Sequence, residues 1–446
     1  MLSILIDIVS VAVILGFMIL IHEFGHYAVA KLLGVRVEQF AIGFGKRLIG
    51  FRKGETDYRI NALPFGGYVK MSGENPMDAR TGDPREFLSH SRWHRFLIAI
   101  AGPVMNIMLA IALLTVVYMV HDEYAVYANK PAVIQGIRHD SPADKAGLQK
   151  GDRIIRADDL DNPTWGQLEP KIWLSPNQPL NITIQRGNDV LQRTIVPVAV
   201  TTSEVGSAGW YPDGSVIVGD MEPDMPAARA GIQEGDKIVA MDGKTLSSID
   251  QMIEMLQETK DKPVTLNVLR NGKPLAFQVQ PVLAKTEDPN EKRYRLGFAN
   301  APETKVRTMP FGAAFQHSLE ENKKDSVLIL QLVKKLVQRK VSMKAFSGPI
   351  GIAQDAGEAA QKKGWTPLME LSAAISLNLG ILNLLPIPIL DGGVILFLLI
   401  ESLMRRDVSL PVKERIYQAA FVFLVLFAVM VIFNDIQKAL PGMRLP

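Results

Sequence analysis

Apolar positions along this chain gather into four long blocks. The first runs from about Ile4 to Ala30, and residues 8–21 within it carry no charged side chain. Residues 96–120, 371–390 and 416–433 are likewise uncharged. Runs of about 20 apolar residues are long enough to cross a bilayer as helices. The pattern predicts membrane segments over 1–30, 96–120, 369–401 and 416–446. The third contains Pro386, Pro388 and Asp391, followed by Gly392 and Gly393. Prolines and a carboxylate at membrane depth are tolerated where the backbone lines a cavity or is covered by protein. Between the first two blocks, residues 38–44 and 58–71 have β character, punctuated by Gly43, Gly45, Gly66 and Gly67. They predict a small membrane-associated sheet or hairpin within 31–95. Residues 286–368 read as linker and amphipathic helix. There Lys334, Lys335, Arg339, Lys340 and Lys344 interleave with Leu332, Val333, Leu336, Val337, Val341 and Phe346 at helical spacing, until Ser347-Gly348-Pro349 breaks it.

The stretch between the second and third blocks contains an internal repeat. Ala146-Gly147-Leu148-Gln149-Lys150-Gly151-Asp152 returns as Ala230-Gly231-Ile232-Gln233-Glu234-Gly235-Asp236, and Gln185-Arg186-Gly187-Asn188 aligns with Leu269-Arg270-Asn271-Gly272. Each copy reads strand, Pro-Ala turn, short helix, Gly-Asp turn, strand, helix and hairpin. The phrase beginning Ser141-Pro142-Ala143 resembles bacterial PDZ domains, placing one over 121–205 and a second over 206–285. The second has the regular turn Met241-Asp242-Gly243. The first has Ala157-Asp158-Asp159 there, a less regular turn. Neither shows an obvious Gly-Leu-Gly-Phe carboxylate loop. PDZ folds bind an extended peptide by adding a strand to a sheet edge, so the pair is expected either to bind peptide or to exclude bulky chains.

Composition sharpens the division. A chain of 446 residues suggests about three domains. Hydrophobic residues at 48% point to the membrane, whereas 21% charged residues require a large part to face water. The net charge of +3 gives no reason to expect nucleic acid. There is no cysteine, so disulfides and thiolate metal sites are excluded, and a zinc site must use histidine and carboxylate. Lys31, Arg36, Lys46, Arg47, Arg92 and Arg95 mark 31–95 as cytoplasmic. Arg405, Arg406, Lys413 and Arg415 do so for 402–415. Four spans then place both termini and the PDZ pair on the opposite side. The amino-terminus has no Lys or Arg before its apolar run, unlike a signal peptide, and reads as a retained helix.

The chemistry begins at the end of the first block, with His22-Glu23-Phe24-Gly25-His26. On a helix, His22 and His26 share a face and can hold a divalent metal, with Glu23 beside them as general base. A hydrolytic zinc site takes a third protein ligand and leaves a position for water. Glu38, Glu55 and Asp391 are the candidates. Asp391 is favoured, because a carboxylate in an apolar segment opened by Pro and Gly is hard to explain without a cation. Small residues at Ala101-Gly102-Pro103 and the amide of Asn106 suit close helix packing.

His22-Glu23-x-x-His26, the stretch Asn383-x-x-Pro386-x-Pro388-x-x-Asp391-Gly392 and the paired insert together resemble the site-2 protease family of intramembrane zinc metalloproteases. The resemblance implies a bacterial inner-membrane enzyme with its active site near the cytoplasmic face and its PDZ pair in the periplasm. It implies Zn2+ as cofactor. The implied substrates are single-span membrane proteins, namely an anti-sigma factor already trimmed by another protease and remnant signal peptides. It further implies that Gly43, Phe44 and Gly45 belong to a β-element meeting the substrate, and that Asn378 and Asn383 hold an unwound substrate. Pro386 and Pro388 set the turn that aims Asp391 inward. The expected fold is a polytopic α-helical membrane protein of four transmembrane helices, with a membrane-associated β-element and two inserted α+β PDZ domains. The competing expectation is a non-enzymatic membrane scaffold with a structural metal. Glu23 separates the two, because a structural site needs no general base.

Overall fold

The computed structural model describes residues 2–75, 81–200, 204–212, 215–246, 248–285, 292–362 and 364–439. The chain forms two compact units. One comprises Met1–Asp122, Arg307–Gln331 and Phe346–Leu440, and the other is built from Glu123–Val306 and Leu332–Ala345.

The first unit holds the apolar helices. Among the described residues, three helices are long and apolar enough to cross a membrane: Ile6–Leu32, Arg92–Val120 and Leu410–Lys438. Only 6% of the apolar window of the last is covered by protein. A surface of that kind, with Phe421, Val425, Leu426 and Val429 outward, needs a non-aqueous solvent. The first two helices, α1 (Leu2–Leu32) and α2 (Arg92–Val120), pack face to face. Their approach depends on missing side chains. A Cβ on Gly25 would stand 2.5 Å from the Ala101 carbonyl oxygen and 2.8 Å from Met105 Cγ. The Thr366–Asn383 helix lies against α2 through Gly380, where a Cβ would come 3.0 Å from the Pro103 oxygen. Nearby, the fully buried Ser376 hydroxyl donates to the Asn106 carbonyl at 2.8 Å.

The β-element is one long hairpin, β1 (Val37–Lys53) and β2 (Thr56–Met71), folded over on itself. Gln39 pairs with Lys70 on one side and Asp57 on the other. Phe40, Ala41 and Ile42 pair in the same way with Val69, Tyr68 and Gly67, and with Tyr58, Arg59 and Ile60. The fold-over requires a corner that L side chains resist. Gly43 and Gly45 supply it with φ of 81° and 87°, and the buried Asn61 amide braces it by donating to the Gly43 carbonyl at 2.9 Å.

Two expectations are corrected here. Residues 369–401 do not form one continuous segment. They form the helices Thr366–Asn383 and Asp391–Met404, with a break between. Pro386 and Pro388 have no N–H to continue the ladder, and each disfavours helical backbone at the residue before it. Ile389 adopts φ of 92°, unusual for a β-branched residue. The second helix restarts directly beneath this turn, so close that a Cβ on Gly392 would lie 2.3 Å from the Leu384 oxygen. The amphipathic helix expected over 332–346 is instead the tail of Phe311–Val337, and Arg339 then turns left-handed at φ of 56°. The apolar spacing continues past the helix end, but the backbone does not.

The Pro349–Gln361 helix is capped from outside. Asp435, buried on the Leu410–Ala439 helix, accepts the N–H groups of Gly348, Ile350 and Gly351 at 2.9, 3.0 and 3.1 Å. A carboxylate there satisfies the free amides of the first turn.

In the second unit the two α+β modules follow the same order of elements. In the first, Leu160–Asp161, Arg153–Ala157, Leu180–Arg186 and Asp189–Ile195 form a sheet in that order, covered by the helix Trp165–Trp173. In the second, Lys273–Val279, Val264–Arg270, Lys237–Met241, Val216–Met221 and Phe298–Ala301 do so, covered by Ile249–Thr259. Each module closes by a late strand returning to its first. Trp210 pairs with Ile137, and Ala301 with Ile217, so each runs past the expected ends at 205 and 285. The turn at Asp158 is not the less regular one. Asp158 and Asp242 both sit near φ of 48–49°, and each accepts the N–H of the facing strand, from Asn181 at 3.0 Å and Thr265 at 2.7 Å. Buried Asp152 receives the Arg186 guanidinium, and buried Asp236 that of Arg270, at 2.7 Å in each case.

Candidate active site

The fourth turn of apolar residues in α1 ends in two histidines on one face. Across from them the broken segment delivers Asp391 at the first turn of its second helix. His22 Nε2 stands 3.1 Å from Asp391 Oδ2, His26 Nε2 stands 3.4 Å from Oδ1, and the two Nε2 atoms are 3.2 Å apart. Tetrahedral zinc with bonds of about 2.0–2.1 Å separates its ligand atoms by about 3.3 Å. All three separations fit that edge, so these groups can hold the ion. His26 Nδ1 donates to the Ile98 carbonyl at 2.7 Å, which leaves Nε2 with its lone pair for a metal. Both imidazoles are buried.

The other two carboxylate candidates are elsewhere. Glu38 pairs with Lys70 at 3.0 Å, and Glu55 with Lys31 at 2.8 Å and Arg85 at 3.1 Å. Each is partly exposed and matched by surface cations, which is the ordinary fate of a carboxylate on a wet β-element.

Glu23, next to His22, faces the hairpin. Its Oε2 accepts the Val69 N–H at 3.0 Å, which fixes the carboxylate and docks the 67–71 strand against the histidines. A cavity of about 540 Å³ is lined by His22, Glu23, His26, Tyr68, Val69, Asn106, Asn383 and Asp391. Helix α2 forms its wall at such close range that a Cβ on Gly102 would fall 2.3 Å from His26 Nε2.

Of the remaining expected residues, Asn383 lies at the cavity. Asn378 is exposed on the same helix and is not part of the cavity lining. Phe44 is exposed at the hairpin corner and stacks on Tyr68, a cavity residue, with ring centroids 6.0 Å apart. Pro386 is exposed and Pro388 half-buried in the turn before Asp391. Sequence reasoning missed the Val69 N–H and the Ile98 carbonyl, because backbone groups carry no residue signature. It treated Gly102 as a packing residue and favoured packing over a substrate role for Asn106.

A glutamate beside two imidazoles and an aspartate, on a cavity walled by apolar helices, has the make-up of a membrane metallopeptidase. The chain belongs to that class in a defined sense. The family described as "Peptidase family M50", the site-2 proteases, matches residues 10–427, and this protein is a member and a zinc metalloprotease. It is 33% identical over 465 residues to the regulator of sigma-E protease RseP of Salmonella typhimurium, covering 98% of this chain and all of the relative. Identity to the protein of the same name from Escherichia coli is 33% over 473 residues, with 98% and 100% coverage. It is 30% identical over 469 residues to a Ralstonia nicotianae protein whose name places it among zinc metalloproteases, covering 98% and 99%.

Proposed function

We propose that this protein cleaves peptide bonds inside the transmembrane helices of single-span membrane proteins, with His22, His26 and Asp391 as zinc ligands and Glu23 as general base. The observation that carries this reading is the meeting of those four side chains on one cavity in the unit that holds the apolar helices. Held by His22, His26 and Asp391, a zinc ion would supply Lewis acidity and a water of lowered pKa. Glu23, held by Val69, takes a proton from the attacking water and passes it to the leaving amine as the C–N bond breaks.

A transmembrane helix hides its peptide bonds in its own hydrogen bonds and must unwind before attack. Strand pairing with the β-element and side-chain amides replace the lost bonds in a dry setting. Of Asn378 and Asn383, Asn383 is the one that lines the cavity. Gly43, Phe44 and Gly45 shape the corner that brings Tyr68 inward, and Pro386 and Pro388 aim Asp391. Asn378 contacts substrate outside the cavity.

The chain crosses the bacterial inner membrane four times, with the broken 369–401 segment counted as the third crossing. Basic loops hold the metal site near the cytoplasmic face. The two modules are PDZ domains in the periplasm that admit substrates with small outer domains and bind peptide. The names of the Salmonella and Escherichia relatives, each a regulator of sigma-E protease, support a place in a sigma-E pathway; we propose an envelope stress response in which the substrates are an anti-sigma factor already cut once and remnant signal peptides. Purified protein incubated with a panel of single-span substrates tests the reading. Mass spectrometry is expected to place the cut inside the apolar segment, and Glu23→Gln to abolish it while zinc and fold are retained. Undiminished cleavage by the variant would refute the mechanism.

A further inference from the structure

The two histidines are held differently, and the difference assigns a role to Asn106. His26 has an unambiguous orienting partner: its Nδ1 donates to a carbonyl that can only accept. His22 has as its Nδ1 partner the side-chain amide of Asn106, with Nδ2 at 3.4 Å. Asn106 is 0% exposed, and its Oδ1 is buried without a hydrogen-bond partner among the described residues.

Taken at face value, an amide N–H pointing at Nδ1 forces the neutral ring to carry its proton on Nε2. Yet Nε2 is the atom that faces Asp391 and His26, and a ring protonated there has no lone pair to give. A half-turn of the amide exchanges two nearly isosteric ends and removes the conflict at Nε2. The orphaned Oδ1 then accepts Nδ1–H, and Nε2 is left as the donor to a metal. Metal-ligating histidines commonly donate their second N–H to an oxygen acceptor, which fixes ring and tautomer. Resting on the zinc reading above, we infer that Asn106 is the positioning residue of His22, through an Oδ1 acceptor on its Nδ1–H.

The surroundings suit the task. The Asn106 backbone is pinned by the fully buried Ser376 hydroxyl at 2.8 Å, so the amide projects from a fixed point. It sits one turn beyond Gly102, the position at which α2 touches both imidazoles. One helix therefore orients both rings, His26 by the Ile98 carbonyl and His22 by the Asn106 side chain. This is an order of interaction that close packing alone would not need.

The test uses the full-length protein in detergent and reads zinc affinity by chelator competition, with 15N spectra of labelled histidine reporting the tautomer. Asn106→Leu keeps the volume and removes the acceptor. Its zinc affinity is expected to fall by about 10–100-fold, the range typical of lost outer-shell partners. Asn106→Asp restores an acceptor and is expected to bind zinc within a few-fold of the parent. In the zinc-loaded parent, the His22 proton is expected on Nδ1, with the shift of a hydrogen-bonded N–H that Asn106→Leu loses. Parent-like zinc affinity in Asn106→Leu, or a His22 proton on Nε2 in the parent, overturns the inference. If Asn106→Leu does not fold, Asn106→Asp and the parent spectra still decide it, because loss of zinc by the aspartate variant also overturns it. His22→Ala separates this from the underlying reading. If the parent binds no zinc, or His22→Ala keeps it, the metal site itself is wrong. If His22→Ala loses zinc and Asn106→Leu does not, only the Asn106 role fails.

Discussion

Replacing Gly102 by alanine adds one methyl group and tests the packing that builds the metal site. The new carbon would lie 2.3 Å from His26 Nε2, 2.7 Å from His26 Cε1 and 2.8 Å from His22 Cε1. Favourable non-bonded contact begins at about 3.5 Å, so a gap of about 1 Å must open. Helix α2 cannot easily withdraw, because it is closed on α1 at Gly25 and tied to His26 through Ile98. The displacement therefore falls on the imidazoles. Ligand distances must hold to about 0.2 Å, and a misplacement of about 1 Å is worth about a hundredfold in rate. We expect Gly102→Ala to fold, since overpacking costs about 1–3 kcal/mol. We expect its zinc affinity and its turnover each to drop by about two orders of magnitude. Gly312→Ala is the control: nothing lies within 4 Å of its added carbon, so it should bind zinc and cleave like the parent. Chelator competition, cleavage of a single-span substrate and a melting curve on both variants suffice. Parent-like zinc binding and cleavage by Gly102→Ala would show that α2 does not press on the histidines.

Other outcomes follow from contacts away from the metal. Burial pushes the Asp152 and Asp236 carboxyls up, but the guanidiniums of Arg186 and Arg270, with the N–H groups of Gln149 and Gln233, more than offset it and hold both below the ordinary carboxylate value. A depressed carboxyl contributes stability that is complete above its unfolded pKa of about 3.9 and is lost as pH falls through the folded value. Protection factors in both modules, corrected for the intrinsic exchange rate, should therefore fall below about pH 4. Arg270→Leu should destabilise the second module at neutral pH by leaving the buried Asp236 carboxylate without its guanidinium, and parent-like protection in the variant would contradict the pairing. Asp435→Ala strips three amides at the start of the Pro349–Gln361 helix of their acceptor. It should lower stability by about 1–2 kcal/mol and loosen exchange at 348–351, whereas unchanged protection there would refute the cap.

Much of this arrangement was legible in the chain because it rests on residue type and spacing. His22 and His26 lie four apart at the end of an uncharged run, and Asp391 is a carboxylate in an apolar segment, hard to explain without a cation. The break at 384–390 was legible as proline chemistry, but not as two separate helices, since apolar content alone does not tell a bent span from an interrupted one. The Phe311–Val337 helix was hidden by its charged first half, in which Glu320, Glu321, Lys323, Lys324 and Asp325 resemble a loop. The holding of Glu23 could not have been read at all. It depends on the N–H of Val69, a backbone group whose direction exists only after the hairpin has folded over at Gly43 and Gly45. Gly102 and Asn106 were visible as small and polar residues in a span. Their bearing on the histidines appeared only when α1 and α2 were brought together.

The central claim is that two imidazoles from the first helix and a carboxylate from far along the chain hold one zinc ion. Zinc counted per purified chain, with X-ray absorption at the zinc edge, tests it in the parent, Asp391→Ala and Glu38→Ala proteins. The account predicts one ion per chain with two imidazole nitrogens and a carboxylate oxygen in the parent, the same in Glu38→Ala, and loss of the ion in Asp391→Ala. Retention by Asp391→Ala with loss in Glu38→Ala would contradict it.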